Sequence, residues 1–157
     1  MGSSGASGFR NGYTGTNAYL VMKYAACPVL LVPPMKKFLN FKRAVFPIRP
    51  VAGALRGYEV LCHFLSSPST VDVLGLSYRN MERGTKVLEK IADEIKDESN
   101  GDNVAIRTVW GEGMNVAEDV LYYANQNLTE LIVVTNILDV TSKFGFVGPY
   151  TQAIIHN

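Results

Sequence analysis

From residue 43 onward the chain alternates short apolar runs with stretches in which apolar residues return every three or four positions. The runs predict strands over 43–48, 71–78, 104–110 and 131–134, the last wholly apolar and suited to a sheet centre. The spaced stretches predict helices. One covers 53–66, with Leu55, Tyr58, Leu61, Cys62 and Leu65 on one face. A charged one covers 80–98, with Val87, Leu88, Ile91 and Ile95 inward, Lys90, Asp93, Glu94 and Lys96 outward, and Asn100-Gly101 as its stop. A third covers 115–126, with Val116, Val120, Leu121 and Ala124 at helical spacing, entered from the turn Gly111-Glu112-Gly113. Alternation of this kind implies a mostly parallel sheet with helices on both faces.

The first 40 residues follow another plan. Gly2-Ser3-Ser4-Gly5 is followed by nine residues, then Gly15-Thr16-Asn17, then an amphipathic run ending in Ala25-Ala26-Cys27 and an apolar segment, Pro28 to Val32. This is a glycine-rich loop opening a helix, then a strand. Free amides at a helix N-terminus, with the positive end of its dipole behind them, attract phosphate, and glycines let that backbone approach closely. Two bland readings stand beside this one. A glycine- and serine-rich amino terminus is what a cloning scar leaves, and Thr16 and Asn17 are ordinary helix-capping types.

In register over loop, helix and strand, Gly2 to Pro33 resembles the C-terminal part of a universal stress protein domain. That family carries a Gly-two-Gly-nine-Gly-Ser/Thr loop before its last helix and last strand. The resemblance implies that Gly2, Gly5, Gly15, Thr16 and Asn17 hold the triphosphate and ribose of ATP, with Mg2+ as its companion and Ser3, Ser4 and Ser7 as further donors. It also implies a doubly wound, mostly parallel five-stranded sheet, which binds ligands outside the carboxyl ends of its strands.

Residues 42–157 resemble a second such domain from its first strand onward. The expected organisation is therefore the end of one domain over 1–34, a linker over 35–42 and a second domain over 43–157 that stops inside its last helix, as in a piece of a tandem protein. This second domain departs from the nucleotide-binding pattern. Leu138 and Thr135 stand at the positions of the two glycines that precede Gly148, and Pro149-Tyr150 stand where Ser/Thr and a small polar residue are expected. Proline lacks an amide donor and leucine restricts the backbone, so this loop is a poor phosphate cradle. Arg49 occupies the place of the family's aspartate near the end of the first strand; it suits a phosphate or carboxylate, or an ordinary surface or salt-bridged role.

Lacking a last strand, the second domain would expose the edge beside Leu131–Val134, and exposed edges invite pairing. The segment Pro28–Val32 is of the missing type, and residues 33–42 span about 30 Å when extended. The expectation is that it fills this edge, within its own chain or in a neighbouring one.

Composition adds limits. A chain of 157 residues with 47% hydrophobic and 18% charged residues can bury a core. A net charge of +1 argues against nucleic-acid binding, and Lys36, Lys37, Lys42 and Arg43 read as a solvated linker. No apolar run has the length of a membrane span, and no secretory signal opens the chain. Cys27 and Cys62 are too few for a disulfide framework or zinc site and read as small buried hydrophobes, with a reducing cytoplasm the default compartment. His63 and His156 have no neighbours that form a nucleophile–base pair; His63 reads as a partly buried helix residue. Glu112, Glu118 and Asp119 suit a turn and a helix start. Trp110, Tyr122 and Tyr123 read as packing residues.

The expectation is thus a stress-response, universal stress-type binding protein that senses ATP or ADP through its N-terminal loop and changes its association with partners. It has no catalytic residues and no metal ligands of its own. The alternative is a nucleotide-free dimerisation or scaffold module that pairs through sheet edges; slow ATP hydrolysis stands last because no residue is identified to position water.

Overall fold

In the computed structural model, residues 16–32, 41–50, 55–76, 81–99, 104–111, 115–135, 138 and 147–156 are described. They form helix α1 (Thr16–Tyr24), strand β1 (Phe41–Ile48), α2 (Arg56–Cys62), β2 (Leu65–Gly75), α3 (Met81–Glu98), β3 (Val104–Trp110), α4 (Val116–Gln126), β4 (Leu131–Ile132) and α5 (Pro149–His156). The four strands make one sheet in the order β3-β2-β1-β4, with every pairing parallel. The chain runs outward from β1 through β2 to β3, then crosses back to lay β4 on the other side of β1. Strand order therefore reverses between β1 and β4.

Both faces of the sheet are covered. Ala44, Phe46 and Ile48 of β1 and Val71 and Val73 of β2 pack beneath Tyr58 and Leu61 of α2 and Leu88, Ile91, Ala92 and Ile95 of α3. Val45 of β1 and Leu74 of β2 face the other way, against Val116, Ala117, Val120 and Ala124 of α4 and Ile154 of α5. Fully burying one such aliphatic side chain contributes roughly 1.5–3 kcal/mol. A strand with helices on both sides must be apolar throughout, which is why Ala44 to Ile48 are all buried, whereas edge strand β3 alternates between half-buried and exposed positions.

Several expected elements shift. The helix over 53–66 shortens to α2, and Leu65 belongs to β2, which starts six residues before the expected 71 and ends at Gly75. The Ser66–Thr70 stretch reads as a loop by composition, yet it lies within β2, where the register with β1 shifts from Phe41↔Leu65 to Arg43↔Thr70. Such an irregularity is where a strand tolerates a proline, here Pro68. In α3 the inward set is Leu88, Ile91, Ala92 and Ile95; Val87 lies about 100° from Leu88 around the helix and is 44% exposed. Asn115 caps α4, its side-chain oxygen accepting the Ala117 amide at 3.0 Å.

The fifth strand is not formed among the described residues. Residues 28–31 carry no strand, and Val32 makes an isolated bridge. Pro28 supplies no amide donor and Pro33-Pro34 follow directly, so only a short run with ladder donors is left. β4 thus ends the sheet, although Val133 continues toward β1 by donating to the Val45 carbonyl at 3.0 Å. Cys27 is exposed rather than buried, because it follows α1 without entering a strand; Cys62 is half-buried against the α2–α3 core. His63 is exposed just past the end of α2, its Nδ1 2.9 Å from the Glu59 carbonyl.

Candidate functional site

A doubly wound sheet gathers ligands where strand order reverses, outside the carboxyl ends of its strands. Here that place lies between the ends of β1 and β4. Arg49, the first residue past β1, donates from Nη1 to the Leu138 carbonyl at 3.1 Å, and its guanidinium carbon stands 5.9 Å from the centroid of the Tyr150 ring. Among the described residues its Nε is buried without a hydrogen-bond partner, and no carboxylate lies in salt-bridge range. Leu138 closes a turn by donating its amide to the Thr135 carbonyl at 3.0 Å, and its side chain is 1% exposed.

The far wall is just as tight. A Cβ placed on Gly57, in the first turn of α2, would sit 2.5 Å from Thr135 Cγ2 and 2.8 Å from a Phe46 ring carbon. Glycine is required there by this approach of helix to strand end. Beyond Leu138, Val147 and Gly148 are buried and α5 opens on Pro149, which has no amide to offer; the Gln152 side chain turns back to donate to the Val147 carbonyl at 2.6 Å. Arg49, Thr135, Leu138 and Tyr150, all singled out in the sequence as departures, are therefore brought together. These residues do not fit an adenine nucleotide: a leucine side chain and its arginine-held carbonyl stand where small residues with available amides would be needed.

Of the residues that the resemblance assigns to ATP, Gly2, Ser3, Ser4, Gly5 and Gly15, and the further donor Ser7, lie outside the described residues. Thr16 opens α1, and Asn17 is exposed one position on.

A second charged constellation was missed by sequence reasoning. Asp72, fully buried in β2, accepts two bonds from Arg107 of β3, Nε to Oδ1 at 2.5 Å and Nη2 to Oδ2 at 2.6 Å. The two residues are register partners. The bond to Asp72 raises the Arg107 pKa. Tyr123 of α4 is pushed up too, first by burial and then by the Asp72 charge and the hydrogen bond to it. The signal was available: Asp72 interrupts Val71-Val73-Leu74 and Arg107 interrupts Ile106-Thr108-Val109, one opposite charge in each of two apolar strands.

At the other end of the sheet, an open groove of about 700 Å3 is lined by Lys42, Arg43, Ser69, Thr70, Leu128 and Glu130 among others. Its charges are largely engaged with backbone: Glu130 accepts the Lys42 and Arg43 amides at 2.6 and 3.0 Å, and Arg43 donates to the Asn127 carbonyl at 2.6 Å. It lies at the amino ends of the strands, away from the reversal of strand order, so we place the candidate site at the Arg49 crevice.

Comparison with known proteins gives little beyond this. No family model and no curated protein matches the chain. Among solved structures it is similar to the crystal structure of protein Rv1636 from Mycobacterium tuberculosis H37Rv, at 14% identity over 64% of this chain and 75% of that one, with a TM-score of 0.47. The described residues thus define an α/β protein with a parallel four-stranded sheet and helices on both faces. None of the described helices is long and apolar enough to cross a membrane.

Proposed function

We propose that the chain is a universal stress-type binding protein that takes up ATP or ADP on its N-terminal glycine loop and alters its association with partners, without fast chemistry. The observation that carries this reading is the start of α1 at Thr16, directly after Gly15. Thr16 opens a helix, whose first amides and positive dipole end favour phosphate. The parallel order β3-β2-β1-β4 agrees with the doubly wound sheet of that family. The domain limits at 34 and 42, the cytoplasmic setting and Mg2+ as companion of the nucleotide belong to the same proposal.

Calorimetric titration of the 157-residue protein with Mg-ATP, beside a Gly15→Val variant, tests it. Saturable binding that the variant loses supports the loop as the phosphate site. No binding to a folded protein, or equal binding by both, sinks it.

A nucleotide-free scaffold is the second reading, favoured by the packing of Leu138 and Arg49 into the crevice of residues 41–156. It expects one oligomeric state with and without nucleotide, joined through a sheet edge, and sedimentation velocity measures that state directly.

A further inference from the structure

We infer that Arg49 is a specificity-determining residue that acts as the internal occupant of the β1–β4 crevice, so that nucleotide is kept from the ends of β1 and β4 and the N-terminal loop is left as the nucleotide site. The inference rests on the functional reading above only for that last clause. The exclusion itself stands on the geometry.

An arginine at a ligand crevice ordinarily signals an anion receptor, because its planar fork matches phosphate and carboxylate. Arg49 is engaged otherwise. Nη1 is taken by the Leu138 carbonyl, Nε is buried without a hydrogen-bond partner among the described residues, and the guanidinium carbon stands 5.9 Å from the centroid of the Tyr150 ring at the start of α5. One of its three nitrogens is thus engaged by backbone and a second is shut away from solvent. The guanidinium instead ties together three pieces of chain far apart in sequence: the end of β1, the turn at Leu138 and the first residues of α5.

The opposite wall adds to the closure. Gly57 of α2 meets Thr135 and Phe46 so closely that not even a Cβ fits between them. The Leu138 side chain is buried in the core beneath α4 and α5. An adenine ring or a phosphate would have to displace both the Arg49 bond and the Leu138 packing.

The test reads closure and binding separately in the full 157-residue protein. Residue-resolved amide hydrogen exchange is compared for the unmodified protein, Arg49→Ala and Arg49→Lys. A hydrogen bond to a charged donor typically holds a local opening down by about tenfold or more. The expected result is therefore an increase of about that size at Leu138 and Gln152 in both variants, with Val71 and Val73 unchanged. Lysine fails to restore protection because one flexible ammonium does not hold carbonyl and ring together. Unchanged exchange at Leu138 in the folded variants overturns the inference.

Mg-ATP titration in a Gly15→Val background supplies the second arm. No saturable heat is expected while Arg49 is present. Saturable binding in Gly15→Val that disappears in Gly15→Val/Arg49→Ala makes Arg49 a receptor and overturns the inference. Should the unmodified protein bind no nucleotide at all, the functional reading fails while the exchange result still decides the role of Arg49.

Discussion

Arg107 reaches from the edge strand β3 to the fully buried Asp72 of β2 and satisfies both carboxylate oxygens, at 2.5 and 2.6 Å. The arginine is half-exposed and the aspartate has no exposed surface, so the partners are not equivalent. Losing the arginine strands a charge under α4; losing both leaves only a gap for apolar side chains to fill.

Arg107→Ala is therefore expected to destabilise the protein by about 2–3 kcal/mol, below the usual range for breaking a buried pair because the arginine side is screened by solvent. Asp72→Val/Arg107→Val is expected to recover most of that loss. Urea denaturation of the two variants measures the difference, and equal losses would mean that the stranded charge is not the cause.

Tyr123 gives the pair a signature at high pH. Its folded pKa lies above the ordinary 10.0 because burial and Asp72 both disfavour the phenolate. Above pH 10 the unfolded chain gives up this proton before the folded one does, so the stabilising contribution is complete below about pH 10 and is lost as pH rises toward the folded value. Tyr123→Phe should flatten the decline of stability across that alkaline window, as read from thermal midpoints against pH.

Gly57 has no room for a methyl group. Gly57→Ala is expected to cost about 1–3 kcal/mol by forcing Thr135 and Phe46 apart. Gly57→Ala/Thr135→Ser removes the nearer obstacle and should return part of the loss. Thermal unfolding of single and double variants decides whether the contact or the helix position governs the effect.

Asn115 holds the first turn of α4 through one side-chain bond. Replacing it by alanine should cost about 1 kcal/mol, and aspartate in its place should retain most of the cap. Chemical denaturation of both variants checks this.

The elements that periodicity could reach were legible because burial there is one-sided and regular. β3 spans the expected 104–110, and α3 departs from its expected 80–98 by a single residue. The beginning of β2 was hidden because Ser66, Ser67, Pro68 and Ser69 carry loop composition and lie within the irregularity between Phe41↔Leu65 and Arg43↔Thr70. Val87 was misread as core because it adjoins Leu88 on the edge of the apolar stripe. At the crevice, sequence identified Leu138, Tyr150 and Arg49 as misfits but not the contacts that Arg49 makes with the other two, which depend on a turn some ninety residues from it. Asp72 and Arg107 escaped for the same reason: a charge in a strand declares its need for a partner, and only register names it.

The two rims of the sheet are unlike. β4 offers two residues of ladder, whereas β3 offers seven, with a guanidinium folded back over their middle. An inward-drawn charge of this kind discourages a foreign strand from settling alongside. The two rims are thereby unequal as templates: among the described residues the long one carries its own guard, and the short one presents only two rungs of ladder.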